Sequence, residues 1–595
     1  MSRGTLGLAL LLASSCGRSD ADPAEGSART PPRPSPPAAA PAAPATIRKE
    51  VRFVDATEES GVSLRTVCGD PKKTFIVESL GTGVALFDAD GDGDQDLFHG
   101  NGAPLTPPAD SSPAPGPVLY LNDGRGRFRD VTKDSGLGRP GAWHGTAAAD
   151  WNGDGRPDLL LTGWRVQALY ANRGVGGKTQ GVPWFTDVTG AARLRNEGWS
   201  TSAAFADLDR DGDLDLYVCH YITFDPKTAP RDCPWKGIKA YCGPEGLTPE
   251  SDAVYRNEGD GTFSEVTREW GYDPGEAFYG LGVVIADLDG DGDPDTYVGN
   301  DSTRNLLFRN LGDGRAEEVG VLSGVAFGDE GQEQASMGVD VGDYDGDGRP
   351  DLFVTNFEGD YSTLYRNSEG EDGGLLFEDV TIPAGLERIT WVDLGWSTRF
   401  FDYDHDGDED LFSANGHVYP QANLVPDLSY EQENELFRND GGKFVLANAT
   451  AGPGWKAKKS FRGGAAGDLD EDGDLDLVFT ALDDVSTVLR NEGADATPWI
   501  RFLAVGRRSE RDGVGAFLLL EAGGRRQTKE VRANTGYLST FDARAHFGLG
   551  AAERVDRLLV RWPSGREDSF GPLPGRRTYR LVEGSPPEPL ARAGG

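Results

Sequence analysis

Short apolar runs of four or five residues, each leading into an acidic loop, set the rhythm of this chain. GVALF (83–87) precedes DADGDGDQD, and LF (97–98) follows it. AAFA (203–206) and LYV (216–218) bracket a second such loop, GVVIA (282–286) leads into a third, and LFV (352–354) leaves a fourth. Runs this short, rich in small and β-branched residues, predict strands joined by charged turns. Each pair is followed by a hairpin pattern, as in VLYLNDGRGRFRDVT (118–132), VYRNEGDGTFSEVT (254–267), LFRNLGDGRAEEV (307–319) and LFRNDGGKF (436–444). Their Asn/Asp-Gly pairs suit tight β-turns. One unit therefore holds about four strands in roughly 60 residues, the content of one propeller blade.

The unit recurs seven times, with loops beginning at Asp88, Asp150, Asp207, Asp287, Asp343, Asp402 and Asp468. The predicted fold is all-β: a seven-bladed β-propeller over 48–497, then a small β domain over 498–585. FLLLEAGG (517–524) and VDRLLVRW (555–562) supply the strand patterns for that second domain. The last repeat stops at VLRNEG (488–493) without the F-x-D-V-T strand seen in the others. An isolated FVDAT (53–57) supplies it, which predicts that the N-terminal strand completes the last blade and hides both sheet edges.

Crowding aspartates at alternate positions is costly unless a cation neutralises them. Positions 1, 3, 5 and 9 of every loop are Asp or Asn, and glycine at position 6 permits a sharp bend. That is an oxygen cage for a hard divalent ion, with position 7 giving only its backbone carbonyl. The first loop offers Asp88, Asp90, Asp92 and Asp96 with the carbonyl of Asp94; the second offers Asp150, Asn152, Asp154 and Asp158 with that of Arg156. The third set is Asp207, Asp209, Asp211, Asp213 and Asp215, and the fourth is Asp287, Asp289, Asp291, Asp293 and Asp295. The fifth is Asp343, Asp345, Asp347, Arg349 and Asp351. The sixth is Asp402, Asp404, Asp406, Asp408 and Asp410, and the seventh Asp468, Asp470, Asp472, Asp474 and Asp476. An EF-hand would need Glu at position 12. That position holds His99, Leu161, Val218, Val298, Val354, Ser413 or Phe479. Up to seven Ca²⁺ are expected, because a dense all-protein cage suits calcium better than magnesium.

Charge agrees with this reading. The 595 residues carry a formal charge of −38, and the loops alone hold 32 aspartates, of which seven Ca²⁺ would offset 14 charges. So acidic a chain is a poor partner for nucleic acid or for an anionic membrane surface.

The N-terminus, MSRGTLGLALLLASSC, has one basic residue, an apolar run and small residues before Cys16, the layout of a secretory signal (1–15). Ala13–Cys16 resembles a bacterial lipobox, which would place a lipid on Cys16. A Pro/Ala-rich linker (16–47, densest at 29–46) would hold the folded part away from a membrane. Among Cys68, Cys219, Cys233 and Cys242, two disulfides are expected in an exported protein, with Cys233–Cys242 the preferred pair.

The loops, hairpins and spacing over about residues 50–495 resemble the FG-GAP/VCBS repeats of integrin-α-type propellers. GVGAFLLLEAGGRRQTKEVRANTGYLSTFDARAHFGLG (513–550) with VDRLLVRWPSG (555–565) is similar to the ASPIC/UnbV domain. The combination resembles the cartilage acidic protein family and its bacterial relatives. The resemblance implies calcium-dependent binding and supplies no reaction.

No hydrolase elbow, P-loop, dinucleotide fingerprint or zinc spacing occurs, so no enzymatic activity is expected. If the loops occupy one face, the segments before and after each strand pair meet at the other. There His99, Asn101, His144, Trp164, Trp199, His220, Tyr221, Trp396 and His417 would line a surface for a protein or glycan. The insert at 220–250 would rise beside it as a lid or epitope. The leading expectation is an exported, lipid-anchored calcium-binding propeller of the cell envelope that binds a protein or glycan. The alternatives are an enzyme or natural-product biosynthetic accessory working at that upper face, and a largely structural surface protein.

Overall fold

Each acidic loop joins two antiparallel strands, and each pair gains two more to make a four-stranded sheet, seven times over. The computed structural model describes residues 51–105, 115–177, 179–195, 198–370, 374–493 and 497–591. The signal segment, the Pro/Ala linker and Cys16 lie outside the described residues. The strands that enter the loops are Val84–Phe87, Trp143–Ala149, Ser200–Ala206, Gly280–Ala286, Ser336–Gly342, Gly395–Phe401 and Phe461–Gly467. Each packs against the next, and Phe461–Gly467 packs against Val84–Phe87, so the series returns to its start. The molecule is all-β and propeller-like. In the seventh sheet the fourth strand is Arg52–Asp55, paired with Thr487–Glu492 so that Phe53 lies opposite Asn491.

An asparagine that closes each third strand ties neighbouring sheets together. Its backbone N–H donates to the position-9 aspartate of its own loop, as Asn310 does to Asp295 (2.9 Å) and Asn491 to Asp476 (2.8 Å). Its side chain donates to the position-2 carbonyl of the preceding sheet's loop. Asn172 reaches Ala89, Asn257 reaches Trp151, Asn310 reaches Leu208 and Asn367 reaches Leu288. Asn439 reaches Tyr344, Asn491 reaches Tyr403, and Asn122 of the first sheet reaches Leu469 of the seventh. Each link satisfies a carbonyl that the sheets alone leave without a partner.

Residues 499–589 form two further four-stranded sheets around Ile500, Phe502, Leu518, Leu520, Phe547, Leu558 and Val560. One pairing is parallel, Trp499–Val505 beside Arg577–Val582. Between these sheets the chain makes an excursion that the alternating pattern did not predict: residues 531–545 run among the loop-entering strands of the repeats. Leu538 donates to Ser202 Oγ (3.1 Å), and its carbonyl accepts from Thr146 (3.0 Å). Thr540 exchanges backbone bonds with Val84 and Leu86, and Gly536 donates to Val339 (2.9 Å). Small residues such as Gly83, Gly145, Thr146 and Ser202 meet it where it runs closest. At Gly83 a Cβ would sit 1.5 Å from the Leu538 carbonyl oxygen. What the sequence presents as a separate small domain is thus interleaved with the repeats.

Candidate metal centres

The seven loops share one internal geometry. The position-1 aspartate turns Oδ2 onto the N–H of the position-6 glycine in every copy, from Asp88–Gly93 (3.1 Å) to Asp468–Gly473 (2.9 Å). That bond fixes the bend and aims Oδ1 into the loop. Asp207, Asp343 and Asp402 each bury an Oδ1 that has no hydrogen-bond partner. A buried carboxylate oxygen without a partner is costly unless a cation meets it.

The remaining ligands converge on the same space. In Asp88/Asp90/Asp96, Asp207/Asp209/Asp215, Asp287/Asp289/Asp291, Asp343/Asp345/Asp347 and Asp402/Asp404/Asp410, three carboxylate oxygens lie within 4.8 Å of one another. Oxygens held 2.3–2.6 Å from one calcium would be about 5 Å apart at most, so these sets fit the ion. Burial, reinforced by neighbouring carboxylates, raises their proton affinity: Asp90 is pushed up to about 6, Asp207 to about 7, Asp94 to about 8 and Asp351 to about 9. Charge of this density calls for a counter-ion.

Several loops already meet positive groups, among them the fourth, where Arg309 pairs with Asp289 (2.7 Å). Arg156 and Arg349, read from sequence as harmless backbone ligands, fold their guanidinium groups onto the position-5 carboxylates Asp154 and Asp347. Each also donates Nε to the carbonyl of its sheet's asparagine, Asn172 or Asn367 (3.0 Å). In the seventh loop, Arg501 of the C-terminal sheets pairs with Asp468 (2.8 Å) and Glu471 (2.7 Å), all buried. In the second loop the Asn152 amide donates to Asp158.

The loop face is the docking face for the C-terminal sheets. Asp150 N–H donates to Asp512 (2.7 Å), Asp287 N–H to Glu530 (3.1 Å), and Thr528 Oγ1 to Asp343 Oδ2 (2.8 Å). Arg525 pairs with Asp408, and Lys529 with Glu409.

The structure brings Trp164, Trp199, Tyr221 and Trp396 together, but under cover. His99, Asn101, His144, Trp199, His220, Tyr221, Trp396 and His417 are buried, and Trp164 is half-buried. The insert closes over them: Tyr221, Ile222, Phe224 and Tyr241 share one apolar cluster with Trp199, Trp396, Leu80 and Tyr537. His144 stacks on Trp199, and Trp235 of the insert packs on His417 (5.0 Å). Burial lowers His99 and His144 to about 4 and His417 to about 3, so all three are neutral at pH 7. An open ligand surface at these residues is therefore not what the chain builds. An apolar insert has buried them instead, because leaving Phe224, Trp235 and Tyr241 in water would cost more than packing them.

Sequence reasoning passed over the residue at the centre of this cap. Arg462, fully buried, donates to the carbonyls of Ser79 (2.7 Å), Gly416 (3.0 Å) and Phe461 (2.6 Å) and lies 4.1 Å over the Trp396 ring. The Cys233–Cys242 disulfide forms as expected. The second does not: Cys68 and Cys219 are buried thiols. Cys219 packs among Tyr217, Val254 and Phe278, while Cys68 lies against the Val77 carbonyl (3.5 Å).

This architecture is that of an extracellular, adhesion-type repeat protein. The chain belongs to the proteins that join FG-GAP-like repeats, matched at 105–161, 246–298, 287–354, 343–413 and 402–479, to a C-terminal ASPIC and UnbV domain, matched at 506–588. Its relatives include cartilage acidic protein 1 of Mus musculus, 23% identical over 82% of this chain and 71% of the mouse protein. The Homo sapiens protein is 24% identical over 82% of this chain and 69% of its own length. Among solved structures, an Agrocybe aegerita lectin that recognises non-reducing terminal N-acetylglucosamine aligns with a TM-score of 0.37 and 19% identity, covering 61% of this chain and 79% of the lectin. Among the described residues, no helix is long and apolar enough to cross a membrane.

Proposed function

We propose that this protein is an exported, calcium-loaded binding protein whose seven sheets are the blades of a closed ring. Up to seven Ca²⁺ occupy the acidic loops, neutralise them and brace the face on which the C-terminal sheets dock. A lipid on Cys16 holds the protein at the cell envelope, the Pro/Ala segment acts as its spacer, and the partner is a protein or glycan. The protein works as a binder, without a reaction of its own.

The observation that carries this reading is the shared loop geometry. A position-1 carboxylate is fixed by the position-6 glycine in all seven copies, and three such carboxylates bury an oxygen with no hydrogen-bond partner. The bound ion would bridge positions 1, 3, 5 and 9 and shut the turn.

Ligands that bind only the folded state stabilise it by mass action. A thermal melt in excess calcium should therefore lie on the order of 10 °C above the same melt in chelator. Equal melting temperatures would remove the calcium reading.

A further inference from the structure

The C-terminal domain has the opposite charge to the rest of the chain. Residues 498–585 carry sixteen Lys and Arg against ten Asp and Glu, a surplus of +6 within a protein of −38. Several of these cations are spent on docking: Arg501 and Arg544 on Glu471, Arg525 on Asp408, and Arg532 on Asp340. Arg507, Arg511, Arg577 and Arg580 are not. They are exposed and, among the described residues, have no carboxylate within ion-pair distance.

These four arginines line one cleft of about 870 Å³ between the C-terminal sheets and the first acidic loop. The lining also holds Asp88, Asp90 and Asp92 of the first loop, Asp512, and Glu471 and Asp542, both of which pair with Arg544. The other six loops each hydrogen-bond C-terminal residues, whereas among the described residues the first is reached by Arg544 alone, at the Gly93 carbonyl (3.4 Å). The first loop's surroundings stay open over a larger volume than those of the fourth, where residues 288–292 line a cleft of about 460 Å³.

We infer that this cleft binds an anionic saccharide, with Arg507, Arg511, Arg577 and Arg580 holding its sulfate or carboxylate groups. Guanidinium forks match such oxyanions in charge and planar geometry. The volume lies in the range of small-ligand sites, room for a few sugar rings. A peptide would bind here most simply by strand addition beside Arg577–Val582, but that edge is already taken by Glu588–Pro589. The inference rests on the calcium reading, because an empty first loop would set three carboxylates against the incoming anion. A loop-bound divalent ion would offset two of those charges.

Calorimetric titration of the full chain in calcium tests this. The probes are a size-defined sulfated tetrasaccharide, a uronate tetrasaccharide, a neutral tetrasaccharide of equal length and an oligo-aspartate peptide. A sulfated or uronate probe should bind and the neutral one should not. R577Q/R580Q should weaken binding at least about tenfold at unchanged melting temperature. R554Q/R557Q, at two arginines that do not line the cleft, should bind as the parent does. The inference is overturned if neither anionic saccharide binds, if R577Q/R580Q binds undiminished, or if only the peptide is taken up. Failure of the calcium reading is separately visible as melting temperatures unaffected by chelator.

Discussion

Asn310 shows how one residue type holds the sheets in register. Its amide serves the carbonyls of Leu208 in the preceding sheet and Pro294 in its own loop, while its carbonyl oxygen accepts from Gly312. Asn310 itself is buried, as is its bond to Leu208, so truncation leaves polar groups unpaired. Asn310→Ala should destabilise the protein by about 2–4 kcal/mol, read from the denaturant midpoint at unchanged m-value. The signal was present in the sequence, since an asparagine closes the third strand of all seven repeats. It was read as a turn former because Asn-Gly explains itself locally. Only the neighbouring sheet's carbonyl reveals the second role, and no sequence window contains both partners.

Among the elements, the insert at 220–250 departs furthest from expectation. Its disulfide closes a short loop between Cys233 and Cys242, nine residues apart. Loop-closure entropy for so small a ring is worth about 2–3 kcal/mol. C233S/C242S should loosen the insert first: hydrogen exchange should rise there and over Tyr221 and Trp199, while amides in Gly280–Ala286 keep their protection. Uniform loss of protection would show instead that the insert and the sheets unfold as one unit. The strands themselves were legible, even the use of FVDAT as the last sheet's fourth strand, because periodicity and a missing segment are both local counts. Of the opposite-face residues, Trp164, Trp199, Tyr221 and Trp396 meet in one apolar cluster. Their burial was not foreseen, although the insert's Phe224, Trp235 and Tyr241 were a clue that it must bury something. Nothing in ANTGYLSTFDA (533–543) announces a segment destined for the interior of the repeats; its small polar residues make sense only against the Gly- and Ala-rich strands that receive it.

For the whole molecule, the proposed calcium loading would set the ion against protons for the same carboxylates. Burial, with neighbouring charge added, pushes Asp158 up to about 8, Asp207 to about 7 and Asp351 to about 9, against an ordinary value near 4. Without the ion, the folded state therefore holds protons that the unfolded chain releases. That contribution is fully present below about pH 4 and is lost as pH rises through 7–9. Calcium binding needs the deprotonated form, so its contribution grows over the same interval. The gap between melting temperatures in calcium and in chelator should accordingly widen from pH 5 to pH 8. A gap that stays constant or narrows would show that these buried aspartates are not the calcium ligands.

The pairing of Arg52–Asp55 with Thr487–Glu492, together with the excursion of residues 531–545, has a temporal side. A chain made from its N-terminus produces the seventh sheet's fourth strand first and must keep it unpaired while more than four hundred residues follow. The segment that fills the interior is made later still. Contacts this distant in sequence make assembly slow and leave partly built intermediates with open sheet edges. Translocation in an unfolded form, with calcium first met outside, would postpone closure until every strand is available. The order of synthesis and the order of assembly thus run in opposite directions, and a premature stop anywhere before residue 545 leaves a molecule that cannot finish.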